Sequence, residues 1–197
     1  MSKFKILNKG PICFVISSPS GAGKTTLVSE ALSRLVNVKK TVSHTTRTPR
    51  EGEKNGVDYY FVTNSDFENA MANDEFIEYA NVYGQWYGTS VHTIKNILDQ
   101  NQDAMLVIEN QGAKEVVKKF PNVVLILIMP PSMEELTRRL IQREGSTTQD
   151  VEKRLSQAQE EIKAMQWYDH KIVNDHFDKA STELVELIQG YQKSRHN

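Results

Sequence analysis

A chain of 197 residues with 39% hydrophobic residues can bury a substantial core, and we expect one compact unit with insertions. The formal net charge of −1 leaves no broad basic surface, which argues against a nucleic-acid partner. The longest apolar run, residues 122–131, is too short to cross a bilayer, which argues against a membrane protein. The single cysteine, Cys13, excludes an internal disulfide, and the N-terminus lacks the pattern of a signal peptide, so a cytoplasmic protein is predicted.

The first predicted elements are an apolar strand at residues 13–16, the tight loop "SSPSGAG" and a helix that begins "KTTLVSEALSRL". This order is the setting of the phosphate-binding pattern G-x-x-x-x-G-K-[ST], although Ser18 stands at the first glycine position. Backbone N–H groups would surround a nucleotide phosphate, Lys24 would reach the outer phosphates, and Thr25 would hold Mg²⁺. A structural turn that happens to carry a lysine is the alternative, and the strand–loop–helix context disfavours it. The residues predicted to bind nucleotide phosphate are Ser18, Pro19, Ser20, Gly21, Ala22, Gly23, Lys24, Thr25 and Thr26.

Later apolar runs at residues 103–109, 123–129 and 170–175 alternate with helical patterns. This alternation predicts an α/β fold with a parallel sheet that is covered on both faces. Residues 41–92 are rich in Thr, Tyr and Gly and predict a small β-rich insertion, whereas residues 133–165 predict two exposed polar helices. The predicted core is then formed by residues 1–40, 93–132 and 166–197.

Within the insertion, Arg47 and Arg50 flank Pro49, which stiffens the loop between them. Two guanidinium groups on a constrained loop suit the binding of a second phosphate. Tyr59 and Tyr87 could donate hydroxyl groups to the same phosphate. On their own, the arginines also fit ordinary surface charge and the tyrosines fit simple packing.

The segments "SHTTRTPREGEKNGVDYYFV" and "FIEYANVYGQWYGTS" resemble the nucleoside-monophosphate-binding region of guanylate kinases. The phosphate loop, "NQGAKEV", "RL…RE…KRL" and "IVND" follow in that family's order, so the resemblance covers nearly the whole chain. It implies a P-loop nucleoside-monophosphate-kinase-like core, a GMP-binding insertion at residues 41–92 and a helical lid at residues 133–165. It also implies transfer of a phosphoryl group from ATP, with Mg²⁺, to GMP.

Carried over by position, the resemblance implies distinct roles for residues along the chain. The GMP phosphate is assigned to Arg47, Arg50, Tyr59 and Tyr87, and the guanine to Ser43, Glu78 and Thr89, with Glu109 between GMP and ATP. Asn174 is placed beside the ATP adenine, and Lys24 is joined in catalysis by Arg143 and Arg154 of the lid, with Arg139 as a weaker candidate. The base assignment agrees with chemistry, because one carboxylate can accept both the N1–H and the 2-amino donors of guanine, whereas adenine lacks both.

Two departures from the family pattern stand out. The family reads R-G-T where this chain has Arg143 followed by Glu-Gly, and it carries two acids where this chain has Val107 and Glu109. Since alternate residues of a strand share a face, both positions are expected to point between GMP and ATP. Two outcomes are open, an impaired enzyme and an active enzyme that relies on Glu109 alone, and we predict the second. The alternatives are a kinase of another nucleoside monophosphate and a non-catalytic binding module.

Overall fold

A computed structural model of the chain describes residues 7–19, 22–82, 84–141 and 148–194, without the side chains of residues 82, 148–151, 153 and 154. The strands are β1 (Cys13–Ser17), β2 (Val38–Lys40), β3 (His44–Thr45), β4 (Tyr60–Phe61), β5 (Phe76–Val82), β6 (Gln85–Ser90), β7 (Asp103–Val107), β8 (Val123–Met129) and β9 (His170–Val173). The helices are α1 (Lys24–Arg34), α2 (Asn64–Ala72), α3 (Val91–Asp99), α4 (Asn110–Lys119), α5 (Met133–Ile141), α6 (Thr148–Ala164) and α7 (Phe177–Ser194). Within the described ranges, no helix is both long and apolar enough to cross a membrane.

The larger sheet is entirely parallel, with strand order β2-β7-β1-β8-β9. Successive residues of the central strand β1 point to opposite faces of the sheet. Phe14 packs in a cluster with Leu27 of α1 and Leu184 of α7, whereas Val15 packs in a cluster with Val116 of α4. Helices therefore cover both faces, which is why the strands are continuously apolar.

The smaller sheet lies within residues 41–92 and has strand order β4-β3-β6-β5. β3 pairs in parallel with β4, while β6 pairs antiparallel with both β3 and β5. Phe67 of α2 stacks on Phe76 and Trp86, with ring centres 4.4 and 5.9 Å away. Gly88 leaves room for these rings, because a Cβ atom there would lie 2.9 Å from Phe67.

The predicted α/β class with a parallel sheet is confirmed, and the predicted runs correspond to β1, β7, β8 and β9. One strand is shorter than expected, since β7 ends at Val107 and Glu109 is the residue that caps the start of α4. The carboxyl ends of the parallel strands meet at one edge of the sheet, and the loops that follow β1, β7 and β9 converge there. In an open α/β sheet this edge is where ligands bind.

Candidate active site

The phosphate loop joins β1 to α1 and is braced from behind by Asn174. Gly23 caps α1 in the left-handed region at φ 85°, where a side chain would be strained, and a Cβ there would lie 2.7 Å from Nδ2 of Asn174. Asn174 is buried, and its Nδ2 donates to the carbonyl oxygen of Ala22 at 2.8 Å. The structure thus places Asn174 against the loop backbone. Ser20 and Gly21 lie outside the described residues.

A cavity of about 420 Å³ opens beside this loop. Its lining is Ser18, Pro19, Ala22, Gly23, Lys24, Thr25, Thr26, Glu109, Arg139 and Glu161. Nζ of Lys24 lies 3.6 Å from Oε1 of Glu109, and the lysine side chain is 16% exposed while the glutamate side chain is 65% exposed. A largely buried ammonium group at the start of a helix suits the phosphates of a nucleotide.

A second cavity, of about 290 Å³, shares Thr25 with the first. It is lined by Thr25, Val28, Ser29, Leu32, Lys40, Thr41, Ser43, Asp58, Tyr59 and Val107. Val107 therefore lines this cavity and Glu109 lines the other. The strand alternation on which the shared orientation of these residues was expected does not hold, because β7 ends at Val107 and Glu109 is the cap of α4.

Three residues predicted to read a base lie together, and one of them, Ser43, lines the second cavity. Glu78 of β5 pairs in register with Thr89 of β6, and Thr89 Oγ1 donates to Glu78 Oε1 at 2.7 Å. Ser43 Oγ lies 3.4 Å from Thr89 Oγ1. Burial raises the pKa of Glu78; the hydrogen bond from Thr89 opposes this rise, and the nearby Glu109 carboxylate adds to it. A partly buried carboxylate with one oxygen bound to Thr89 retains acceptor capacity for a ligand's N–H groups.

The predicted arginine loop is held by Glu53, a residue that was not predicted. Arg47 Nη2 donates to both carboxylate oxygens of Glu53, at 2.8 and 3.0 Å, and the backbone N–H of Arg50 donates to Glu53 Oε2 at 2.7 Å. The hydrogen bond from Arg47 is the main reason that the pKa of Glu53 is lowered. The rings of Tyr59 and Tyr87 meet edge to face at 5.9 Å, and the Arg47 guanidinium lies 5.5 Å from the Tyr59 ring centre. These four predicted residues thus share one cluster with Glu53.

The lid arginines are placed unequally. Arg143 lies outside the described residues, and so does the side chain of Arg154, although Arg154 itself belongs to α6. Arg139 of α5 lines the phosphate-loop cavity; its Nε donates to Glu135 at 2.8 Å and its Nη2 donates to the carbonyl oxygen of Asn174 at 3.1 Å. Arg139 thereby connects the lid to the residue that braces the phosphate loop.

A larger cavity, of about 1050 Å³, lies on the opposite side of the smaller sheet. His44 lines it, whereas the preceding residue, Ser43, faces the second cavity. None of the predicted site residues is among the described residues that line it. The predicted phosphate-loop residues line one of the two smaller cavities, and Ser43 and Tyr59 line the other, so size alone does not identify the site.

Comparison with known proteins places the whole chain among enzymes of one kind. A family model described as Guanylate kinase matches residues 11–191. The chain is 42% identical over 177 residues to a guanylate kinase of Geobacter sulfurreducens, covering 90% of this chain and 87% of the relative. It is 44% identical over 179 residues to a guanylate kinase of Haemophilus influenzae, covering 89% and 86%. The crystal structure of guanylate kinase from Anaplasma phagocytophilum is similar, with a TM-score of 0.73, 36% identity and coverage of 95% of this chain and 89% of that chain.

Proposed function

Because the chain belongs to the guanylate kinase family, we propose that it transfers the terminal phosphoryl group of ATP to GMP and releases ADP and GDP. The phosphate-loop cavity is the place for the ATP phosphates, and the cavity lined by Ser43 and Tyr59 is the place for GMP. Thr25 lines both cavities, so the two substrates would meet beside it.

The position of Glu78 is the observation that supports GMP as the acceptor substrate. Its buried carboxylate and the hydroxyl groups of Thr89 and Ser43 offer an acceptor for the N1–H and 2-amino group of guanine and polar partners for its 6-oxo group. Adenine would leave the remaining acceptor positions of this carboxylate covered and without a donor. A site that hydrogen-bonds its substrate in this way rejects a base without the matching donors by up to about 10⁴-fold.

Phosphoryl transfer asks the protein for positioning and for stabilisation of charge. The acceptor needs no general base, because a phosphate monoester with a second pKa of about 6 is mostly dianionic at neutral pH. We assign neutralisation of the transferring group to Lys24, and placement of the acceptor phosphate to Arg47 and Arg50. Arg143 and Arg154 are proposed to add positive charge when the lid closes, which also excludes water as a competing acceptor.

Mg²⁺ suits the oxygen donors of the phosphate-loop cavity. The Thr25 hydroxyl and the Glu109 carboxylate line the same cavity, and Mg²⁺ commonly combines a few protein oxygens with water and substrate phosphates. We propose that Thr25 holds the ion that arrives with ATP. When bound, Mg²⁺ supplies neutralisation of charge on the phosphate oxygens.

We also propose that the protein works in the cytoplasm, where ATP is supplied. The only cysteine of the sequence, Cys13, is free and buried in β1. Burial, with a contribution from the nearby Asp103 carboxylate, raises the pKa of its thiol to about 12, so it stays protonated and behaves as a core residue.

A coupled assay of ADP release, with GMP, AMP, UMP and TMP as acceptors, tests this function. We expect kcat/KM for GMP to exceed kcat/KM for AMP by a factor of up to about 10⁴. The Lys24→Ala variant is the control and should fold normally without turnover, because the role of the lysine is electrostatic. Equal use of several acceptors would overturn the base assignment, and absence of ADP release with every acceptor would overturn the catalytic function.

A further inference from the structure

Gly112, the third residue of α4, lies directly against the stem of Glu78. A Cβ atom at Gly112 would stand 2.5 Å from Cγ of Glu78 and 2.8 Å from its Cβ. Non-bonded carbon atoms are normally about 3.5–4.0 Å apart. The hydrogen side chain of Gly112 thus provides the space that the glutamate stem occupies.

The backbone conformation at position 112 does not require a glycine. Gly112 lies within α4 and is not one of the described glycines with positive φ, so any residue could adopt its backbone geometry. Glycine is also a poor helix former, and alanine in its place would favour the helix. The close approach of Glu78 is therefore the reason for a glycine at this position.

Both backbones are constrained where Gly112 and Glu78 meet. The next residue of α4, Ala113, and Val116 one turn later are buried in the core, which fixes the helix. Glu78 is held on β5 by its register with Thr89. A methyl group at Gly112 would also lie 3.2 Å from Cδ1 of Ile108, on another side. Rotation of the Glu78 side chain can relieve the contact with Cγ, whereas the contact with Cβ also requires a shift of β5 at Glu78. In both cases the carboxylate of Glu78 moves.

We propose that Gly112 determines the specificity for guanine by holding the Glu78 carboxylate beside Thr89, and this inference rests on the proposed phosphorylation of GMP. The overlap calls for a displacement of about 1 Å, which is enough to break a 2.7 Å hydrogen bond and can reduce a rate by up to about 100-fold. Gly112 is a positioning residue in this scheme, since the contact with the base belongs to Glu78.

Steady-state kinetics of the Gly112→Ala variant test the proposal. We expect kcat/KM for GMP to fall about tenfold or more, KM for ATP to stay within about twofold, and the preference for GMP over AMP to shrink. The exposed Lys114 on the same helix supplies the control, and Lys114→Ala should behave like the wild-type chain. Full use of GMP by a folded Gly112→Ala variant would overturn the proposal, as would a variant that fails to fold by circular dichroism.

A double-mutant cycle separates positioning of Glu78 from a general structural effect. In a chain that already carries Glu78→Ala, adding Gly112→Ala should change kcat/KM for GMP by less than about twofold, because the group to be positioned is absent. The same loss in both backgrounds would contradict action through Glu78. The wild-type assay keeps the two claims apart: no use of GMP by the wild type refutes the proposed function, whereas use of GMP that is indifferent to Gly112→Ala refutes only this inference.

Discussion

Three glutamates of the site show how surroundings assign different tasks to the same side chain. Glu78 is largely buried and its pKa is raised by that burial, whereas the pKa of Glu53 is lowered, chiefly because Arg47 donates to it. Glu109 is 65% exposed and lies beside Lys24. Glu78 thus serves as a hydrogen-bond acceptor, Glu53 as the partner of an arginine and Glu109 as the partner of a lysine. The surroundings of each carboxylate decide which of these tasks it performs.

The raised pKa of Glu78 predicts how use of GMP depends on pH. Only the ionised carboxylate accepts both donors of guanine, and burial moves its protonation to a pH above the ordinary pKa of 4.5. As the pH falls toward that raised pKa, KM for GMP should rise while KM for ATP changes little. Initial-rate measurements over a pH series check this expectation.

The phosphate of GMP also titrates, with a pKa of about 6, so the pH series needs a matched variant. Glu78→Gln keeps the size of the side chain and removes its titration. The variant should bind GMP more weakly at every pH and should retain only the inflection that belongs to the phosphate. An identical pH profile in the wild type and the variant would show that Glu78 does not titrate within the measured range.

Glu109 is expected to orient Lys24 toward the phosphates from a distance of 3.6 Å. Glu109→Gln should lower turnover at least tenfold, equivalent to about 1.4 kcal/mol of transition-state stabilisation. Val107→Asp should change turnover much less, or raise it, because Val107 lines the neighbouring cavity and makes no polar contribution now. Full activity of Glu109→Gln would mean that the carboxylate of Glu109 takes no part in the chemistry.

At the scale of elements, the loop at residues 47–53 has no helix or strand and depends on Glu53 for its shape. Glu53 ties the guanidinium group of Arg47 to the backbone of Arg50, which sets the spacing of the two predicted phosphate ligands. Preorganised ligands lose less entropy when the substrate binds. If Arg47 and Arg50 bind the GMP phosphate as proposed, Glu53 prepares this loop for it although the loop lacks regular secondary structure.

Removal of Glu53 should loosen this loop. We expect Glu53→Ala to raise KM for GMP several-fold with little change in KM for ATP, and Glu51→Ala, which removes an exposed acid two residues away, to have no such effect. Steady-state kinetics with each substrate varied in turn provide the measurement. A lower KM for GMP in Glu53→Ala would mean that the carboxylate competes with the substrate phosphate instead of preparing its site.

Local patterns predicted the elements better than the contacts between them. The apolar run at Cys13 and the three later runs identify parallel strands, because strands covered on both faces are continuously apolar. The apolar run predicts a strand as far as Glu109, but the strand ends at Val107 and Glu109 caps α4 with extended backbone, φ −82° and ψ 167°. Glu53 and Gly112 carry no local signal, since their importance arises from chain segments that only the folded structure brings together.

The prediction of Ser43, Glu78 and Thr89 came from the family resemblance rather than from local patterns. Residue spacing gives no reason to join Ser43 with positions more than thirty residues later, whereas the register of β5 with β6 places Glu78 directly opposite Thr89. Chemistry then explains why a carboxylate and a hydroxyl group meet there. The pairing of strands in the folded chain brings these residues together, and sequence spacing alone does not predict that contact.

At the scale of the whole molecule, the lid has a small core of its own. Leu136, Leu140 and Ala158 form a cluster separate from the two clusters that cover the parallel sheet. The C-terminal end of α6 is tied to the body, because Trp167 Nε1 donates to Asn110 Oδ1 at 3.1 Å. Met165, at the end of the segment, is buried in the cluster of the parallel sheet and anchors that end. A unit with its own core that is anchored at its ends can move as a rigid body about them.

We therefore expect both flanking segments, residues 41–92 and 133–165, to close over the substrates. Binding of GMP together with an unreactive ATP analogue should decrease the radius of gyration, toward the value of about 16 Å for a compact chain of this length. Small-angle X-ray scattering of the free protein, of each single complex and of the double complex measures this change. The largest decrease should accompany the double complex, because Arg139, Lys24 and the arginine loop then share one pair of ligands. Identical radii in all four states would argue that the free protein is already closed and that transfer proceeds without movement of the lid.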